Sequence, residues 1–250
     1  MSLNKPIYVH SEIVHNIVAP TIILPLLFKF FKPNSILDIG CGIGTWLSVA
    51  KDLGIVDVLG IDGEYVDRGL LNKYLREDEF LSRDLTKPLK LGRKFDLTLC
   101  LEVAEHLPES YANILVKTLV ESSDIVLFSA AIPGQGGQNH LNEQWPPYWA
   151  EKFSHYGYSF LDVLRPSIWN NSNLDFWYKQ NIFLVVKDAS KFSELSSNLL
   201  LDIIHPDLFL IKNIQITSLQ KRVNSILDCE ENLIFYLSLL KKKILRLIKN

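Results

Sequence analysis

The segment SILDIGCGIGTW, residues 35–46, limits what this chain can fold into more than any other stretch. An apolar run leads into Gly40, Gly42 and Gly44 and then into helical spacing from about Thr45 to Leu53, which describes a strand, a tight turn and a helix. Such a turn binds nucleotide cofactors, because backbone N–H groups at a helix start face the ligand with no Cβ in the way. The spacing here is Gly-x-Gly-x-Gly. A dinucleotide fingerprint needs its third glycine at position 45, which is Thr45, and no Lys-Ser/Thr pair follows as in a phosphate-gripping loop. Asp38, two residues before Gly40, would repel a pyrophosphate. The turn suits a cofactor that is cationic nearby and free of phosphate.

The same alternation continues along the chain. VDVLGID, EFLSRDL, KFDLTLCLE, DIVLFSAAI and NIFLVVK read as further strands, several of them apolar on both faces. PESYANILVKTLVES reads as a helix starting at Pro108, and PPYWAEKFSHYG as another. Strands alternating with helices indicate an α/β fold, a mostly parallel sheet covered on both sides, with ligands at the carboxyl ends of the strands. The glycines and acids fall at those ends.

Composition narrows the class. Apolar residues make up 48% and charged residues 22% of 250 residues, which fits one full-sized globular core. A net charge of −2 advertises no polyanion partner, so nucleic acid is not expected. Cys41, Cys100 and Cys229 lie far apart and form no CxxC pair, which argues against a disulfide framework or a cysteine zinc site. With no signal-peptide pattern, the expected location is the cytoplasm. IVAPTIILPLLFKFF is broken by Pro20, Pro25 and Lys29 and is too short to span a bilayer, so residues 1–32 are expected to form a helical cover.

LDIGCGIGT and the motifs after it resemble the class I S-adenosylmethionine-dependent methyltransferases, over roughly residues 33–187. The resemblance implies a doubly wound, Rossmann-like, seven-stranded sheet and S-adenosylmethionine as cofactor, whose sulfonium and ammonium groups suit Asp38. It implies that Asp38, Gly40, Cys41, Gly42 and Gly44 surround the cofactor. Asp62, 22 residues after Gly40, would hold the ribose hydroxyls. Asp84, with Leu85, would meet the adenine, and Leu101 and Glu102 would line the methionine end.

Methyl transfer from a sulfonium is an in-line displacement, so the protein aligns the acceptor and removes its proton. Glu102-Val-Ala-Glu105-His106 follows the fourth strand, and one turn of helix there would put Glu102, Glu105 and His106 on one face. GQGGQNHLNEQW, after the fifth strand, adds His140, Asn142 and Glu143. The Glu-x-x-Glu-His turn with a later histidine resembles small-RNA 3′-end 2′-O-methyltransferases, and the turn alone resembles ubiquinone-pathway O-methyltransferases. Two readings stay open. Glu102, Glu105, His106 and His140 bind Mg or Mn, or His106 or His140 with Glu105 acts as catalytic acid–base group without metal.

The loop GQGGxxHxNEQWPxYW resembles one in methyltransferases of bacterial surface polysaccharides. It implies a small or glycosidic acceptor, for which Trp145 and Tyr148 offer stacking faces. Trp149 and Phe153, at i and i+4, read as core. WNNSNLDFWYKQN reads equally as an acceptor wall and as a hairpin loop. Tyr8 and His10 are candidates to touch the cofactor from the N-terminal side. An RNA ribose hydroxyl is the alternative acceptor, and a catalytically silent, cofactor-binding subunit the alternative class.

Residues 188–250 are expected to form a helical extension. Leu219, Val223, Ile226, Glu230, Leu233, Leu237, Leu240, Ile244 and Leu247 alternate spacings of four and three, a coiled-coil-like seam that would make a homo-oligomer. The end, KKKILRLIKN, complements a helix dipole and also suits peripheral contact with anionic membrane.

Overall fold

The structure is a computed structural model that describes residues 8–12, 15–190, 192, 202–228 and 232–248. Its contacts divide into two compact units, Met1–His205 and Pro206–Asn250.

The first unit begins with α1 (Val18–Leu27), and β1 (Ser35–Ile39) then enters the glycine turn and α2 (Thr45–Asp52). β2 (Asp57–Asp62), α3 (Arg68–Leu71), β3 (Phe80–Ser82), β4 (Leu97–Leu101), α4 (Ala112–Ser122) and β5 (Ile125–Ser129) follow. The unit closes with α5 (Pro146–Ser154), β6 (Ser159–Leu161), α6 (Arg165–Ile168), α7 (Phe176–Asn181) and β7 (Phe183–Val186). The seven strands form one sheet in the order β3-β2-β1-β4-β5-β7-β6. β1 to β5 pair in parallel, and β7 runs antiparallel to both β5 and β6. This is the doubly wound architecture expected.

Alternation along the strands builds a core on each face. Ile36, Leu97, Leu99, Leu127 and Leu184 pack with Ile23, Leu27 and Leu47 of α1 and α2. Leu37, Ile39, Val126, Phe128 and Val185 pack with Val116, Leu119, Trp149 and Phe153 of α4 and α5. Trp149 and Phe153 are therefore core, and burying each aromatic side chain contributes about 1.5–3 kcal/mol. Register sets the site. Asp38 sits opposite Gly60 and Ile39 opposite Ile61, so the Gly40 turn emerges beside Asp62.

Two local expectations change. Pro108 is extended, at φ −54 and ψ 144, and a 3-10 turn over Glu109–Tyr111 precedes α4, so the helix starts at Ala112. Residues 159–161 form β6, whose three residues are too few to show a period.

The second unit contains α8 (Pro206–Leu227) and α9 (Leu233–Ile248). Asn232 caps α9 by accepting the Phe235 N–H at 3.0 Å. The Tyr236 hydroxyl donates to the Ile226 carbonyl at 3.0 Å, and the Arg222 guanidinium lies 5.1 Å from the Phe235 ring centre. The seam positions are thus divided between two helices rather than carried on one. Leu219, Val223 and Ile226 lie on α8, and Leu233, Leu237, Leu240 and Ile244 on α9, while Glu230 falls outside the described residues.

Candidate active site

The turn after β1 is shaped by backbone sterics. Gly40 has φ +80, and a Cβ there would run into the Val103 side chain. A Cβ at Gly42, φ +55, would lie 2.9 Å from the His15 ring and 3.3 Å from His10. Gly44 stands at the start of α2. Asp62 is buried at the end of β2 and accepts the N–H groups of Gly42 at 2.8 Å and Gly63 at 2.6 Å. Burial raises its pKa, and these N–H groups with the Tyr65 hydroxyl oppose the rise. Asp38, also buried, is pushed well up by burial and then by Asp62. Cys41 is buried beside Gly60, and burial pushes its thiol up as well.

These residues form a cradle of small groups lined by acids, which fits a ligand bearing hydroxyls and positive charge. Asp84 follows β3 but is exposed, and its Oδ1 accepts the Thr86 N–H at 2.9 Å and the Thr86 hydroxyl at 2.6 Å. Leu85 and Leu101 are half-buried near the same strand ends.

The N-terminal segment closes over this turn. The His10 ring stacks on Tyr65 at 5.6 Å and 12°, with its Nε2 4.0 Å from Asp62. His15 lies 4.8 Å from His10, and Tyr8 lies 4.9 Å from both His10 and His106. Burial lowers the pKa of His10 and of His15 to about 4, so both rings are neutral near pH 7.

The turn after β4 is held from a distance. Glu102 has φ 54, a left-handed conformation that costs a non-glycine residue about 1–3 kcal/mol and persists where neighbours over-determine it. Its N–H donates to the Ser129 carbonyl and hydroxyl, both at 3.1 Å. Its carboxylate accepts Gln135 Nε2 at 3.0 Å and Asn181 Nδ2 at 3.1 Å. Asn181 also donates to Gln135 Oε1 at 2.9 Å and accepts Gln180 Nε2 at 2.9 Å. Arg165 pins this corner, donating to the Gln180 carbonyl at 3.0 Å and to Asp162 at 2.9 and 2.7 Å.

A 3-10 turn over Ala104–His106 presents Glu105 and His106. The Glu105 carbonyl accepts the N–H groups of Leu141 and Asn142 at 2.7 and 3.0 Å, tying the two loops together. Glu105 is fully buried, and neither carboxylate oxygen meets a donor at hydrogen-bond geometry. Burial and then the Glu102 carboxylate push its pKa well up. His106 is 4.9 Å from His140, its Nδ1 is buried without a partner, and burial lowers its pKa to about 4. His140 Nδ1 pairs with Glu143 Oε1 at 2.8 Å, and Glu143 also accepts Gly134 and Gly136 N–H groups at 2.7 Å each.

Glu105, His106 and His140 each offer a donor atom within 4.8 Å of the others. The Glu102 carboxylate, which accepts the two amides, lies beside this trio and against the Glu105 carboxyl. Asn142 is buried, and its Oδ1 accepts Gln144 Nε2 at 2.9 Å. Trp145 is 37% exposed at the mouth of the loop, and the Tyr148 hydroxyl reaches Glu109 at 3.4 Å. Of the 169–181 segment, residues 176–181 form α7. It brings in Asn181, and it sets Tyr178 5.6 Å from Trp46. Sequence reasoning missed Gln135, Asn181, Gln180 and Tyr65. The polar end of FWYKQN, after three aromatics, was the available signal.

A methyltransferase domain matches residues 16–177. The chain belongs to that family, the class I S-adenosylmethionine-dependent methyltransferases, enzymes of class EC 2.1.1.-. Its cofactor is S-adenosylmethionine. Among solved structures it is similar to magnesium protoporphyrin IX methyltransferase from Synechocystis, crystallised with S-adenosylmethionine. Identity is 19%, coverage is 70% of this chain and 81% of that one, and the TM-score is 0.51. It is also similar to a sugar N-methyltransferase from Streptoalloteichus, with identity 12%, coverage 75% and 96%, and TM-score 0.56. These likenesses concern the fold. No curated protein matches the chain. Among the described residues, no helix is long and apolar enough to cross a membrane.

Proposed function

We propose that this enzyme O-methylates a hydroxyl of a small or glycosidic acceptor, and that Glu105, His106 and His140 hold a divalent cation, Mg²⁺ or Mn²⁺, at the acceptor end. One observation carries the reading: Glu105, His106 and His140 each offer a donor atom within 4.8 Å of the others, and His106 Nδ1 is buried with no hydrogen-bond partner. Buried polar atoms left unpaired cost about 1–3 kcal/mol each, and a carboxylate–imidazole set suits a divalent metal. When bound, such a cation acidifies and orients a hydroxyl.

The chain's own groups divide the remaining work. Gly40, Gly42 and Gly44 with Asp38 and Asp62 seat the cofactor, and Cys41, Leu85 and Leu101 pack around that edge. Asp84 lies at the adenine end, where cofactor binding must compete with its Thr86 contacts. Asn181 and Gln135 fix Glu102 between the two halves, in place to accept from the cofactor's ammonium group. Glu143 orients the His140 ring, as carboxylates do for metal-binding histidines. His106, neutral near pH 7, is ready to ligate or to accept a proton. Trp145 offers its exposed face to a sugar ring. An RNA ribose hydroxyl would use the same chemistry, but the net charge of −2 gives it no electrostatic footprint.

Turnover of S-adenosylmethionine with polyhydroxyl acceptors tests the reading. Dialysis against EDTA is expected to abolish activity and Mg²⁺ or Mn²⁺ to restore it. Activity indifferent to EDTA assigns the proton transfer to His106 or His140 acting alone.

A further inference from the structure

We propose that α9 is an interfacial helix that docks the enzyme on an anionic lipid surface. Charge is segregated along this chain. Residues 206–250 carry eight lysines and arginines against four acids, in a chain whose net charge is −2. Within Leu233–Ile248 there are four cations, Lys241, Lys242, Lys243 and Arg246, and no acid.

The cations are placed around an apolar stripe. At about 100° per residue, Leu233, Leu237, Leu240 and Ile244 share an arc of about 60°. Lys241 and Lys243 flank that arc, with Lys242 and Arg246 on the far side. The four stripe residues are 47–72% exposed. Tyr236, which donates to the Ile226 carbonyl, lies beside the stripe, and Phe235, under Arg222, lies opposite it, so these contacts with α8 leave the stripe uncovered. An uncovered apolar stripe edged by lysines is the pattern of a helix lying in a headgroup region, with its stripe in the acyl boundary and its lysines at the phosphates.

Charge also argues against the other occupant. A second α9 on the same stripe would set lysine-edged flanks against each other, with no acid on either helix to pair them. Each cation near an anionic surface strengthens binding by roughly fivefold, so the cluster and the stripe reinforce one another. At 16 residues α9 is short of a membrane span, consistent with lying on the surface.

The test is flotation of the full chain with vesicles of phosphatidylcholine, alone or with about one-third phosphatidylglycerol. The expected result is at least about tenfold tighter binding to the anionic vesicles, weakened by raising salt. The triple variant Lys241→Glu, Lys242→Glu, Lys243→Glu loses that preference. Leu240→Asp loses binding altogether, while calorimetry shows S-adenosylmethionine binding unchanged in both variants. Absence of flotation, or equal recovery with neutral vesicles, overturns the proposal. So does a concentration-dependent dimer, dispersed by Leu240→Asp, with no vesicle binding, which assigns the stripe to a second copy.

Discussion

Two turns at the same edge of the sheet carry acids, and they are held in opposite ways. The turn after β1 is specified locally: Gly40 and Gly42 leave room that any side chain would fill, and the nearest strand supplies Asp62. The turn after β4 is specified at a distance. Glu102 depends on Ser129, Gln135 and Asn181, and Glu105 on the 141–142 backbone. A cofactor that every member of a reaction class shares can be met by backbone geometry. An acceptor that differs from enzyme to enzyme is met by side chains on separate loops, where substitution alters the pocket without altering the fold.

The sharpest break in this contrast is Gly40→Ala. The added methyl collides with Val103 at a positive φ, which costs at least about 2 kcal/mol and weakens S-adenosylmethionine binding tenfold or more by calorimetry. Unchanged affinity would show that the turn tolerates a side chain. Asn181→Ala acts on the other half. It strips a donor from the half-buried Glu102 carboxylate, and unfolding should show a loss of about 1–3 kcal/mol. Turnover should fall about tenfold and S-adenosylmethionine affinity should fall with it, because Glu102 is placed to meet the cofactor's ammonium group; unchanged values of both would show that Asn181 does not hold Glu102.

A smaller effect concerns the segment that bridges the two turns. His10 and His15 have pKa values of about 4 in the closed structure, against 6.5 when exposed. An opened segment therefore binds protons below about pH 6.5 while the closed one does not until about pH 4, so closure weakens as pH falls across that window. Tyr8, Tyr65, Asp62, Asp67 and His106 are titratable groups around them. The protection factors of the amides of residues 8–12, taken against the intrinsic exchange rate at each pH, should fall between pH 6.5 and 4.5, and constant protection would contradict this packing.

What the sequence made legible follows the same division. Gly40, Gly42, Gly44 and Asp62 are set by contiguous residues and one strand pairing, so spacing alone points to them. Glu105, His106 and His140 were readable as residue types, and the structure brings them together. The amides that hold Glu102 were not readable, because they come from residues 135 and 181, on separate segments. Pro108 misled because its fixed φ serves an extended residue as well as a first helical turn. The end of α8 at Leu227 and the start of α9 at Leu233 were signalled by Asp228 and Asn232, polar residues that the apolar heptad spacing outweighed.

The most direct test is a calorimetric titration of Mn²⁺ into the S-adenosylmethionine-saturated enzyme and into its Glu105→Gln variant. The expected result is one binding event in the enzyme, loss of at least about tenfold in affinity in the variant, and equal S-adenosylmethionine affinity in both. An enzyme that takes up no Mn²⁺, or a variant that binds it equally well, would contradict a cation site at Glu105, His106 and His140.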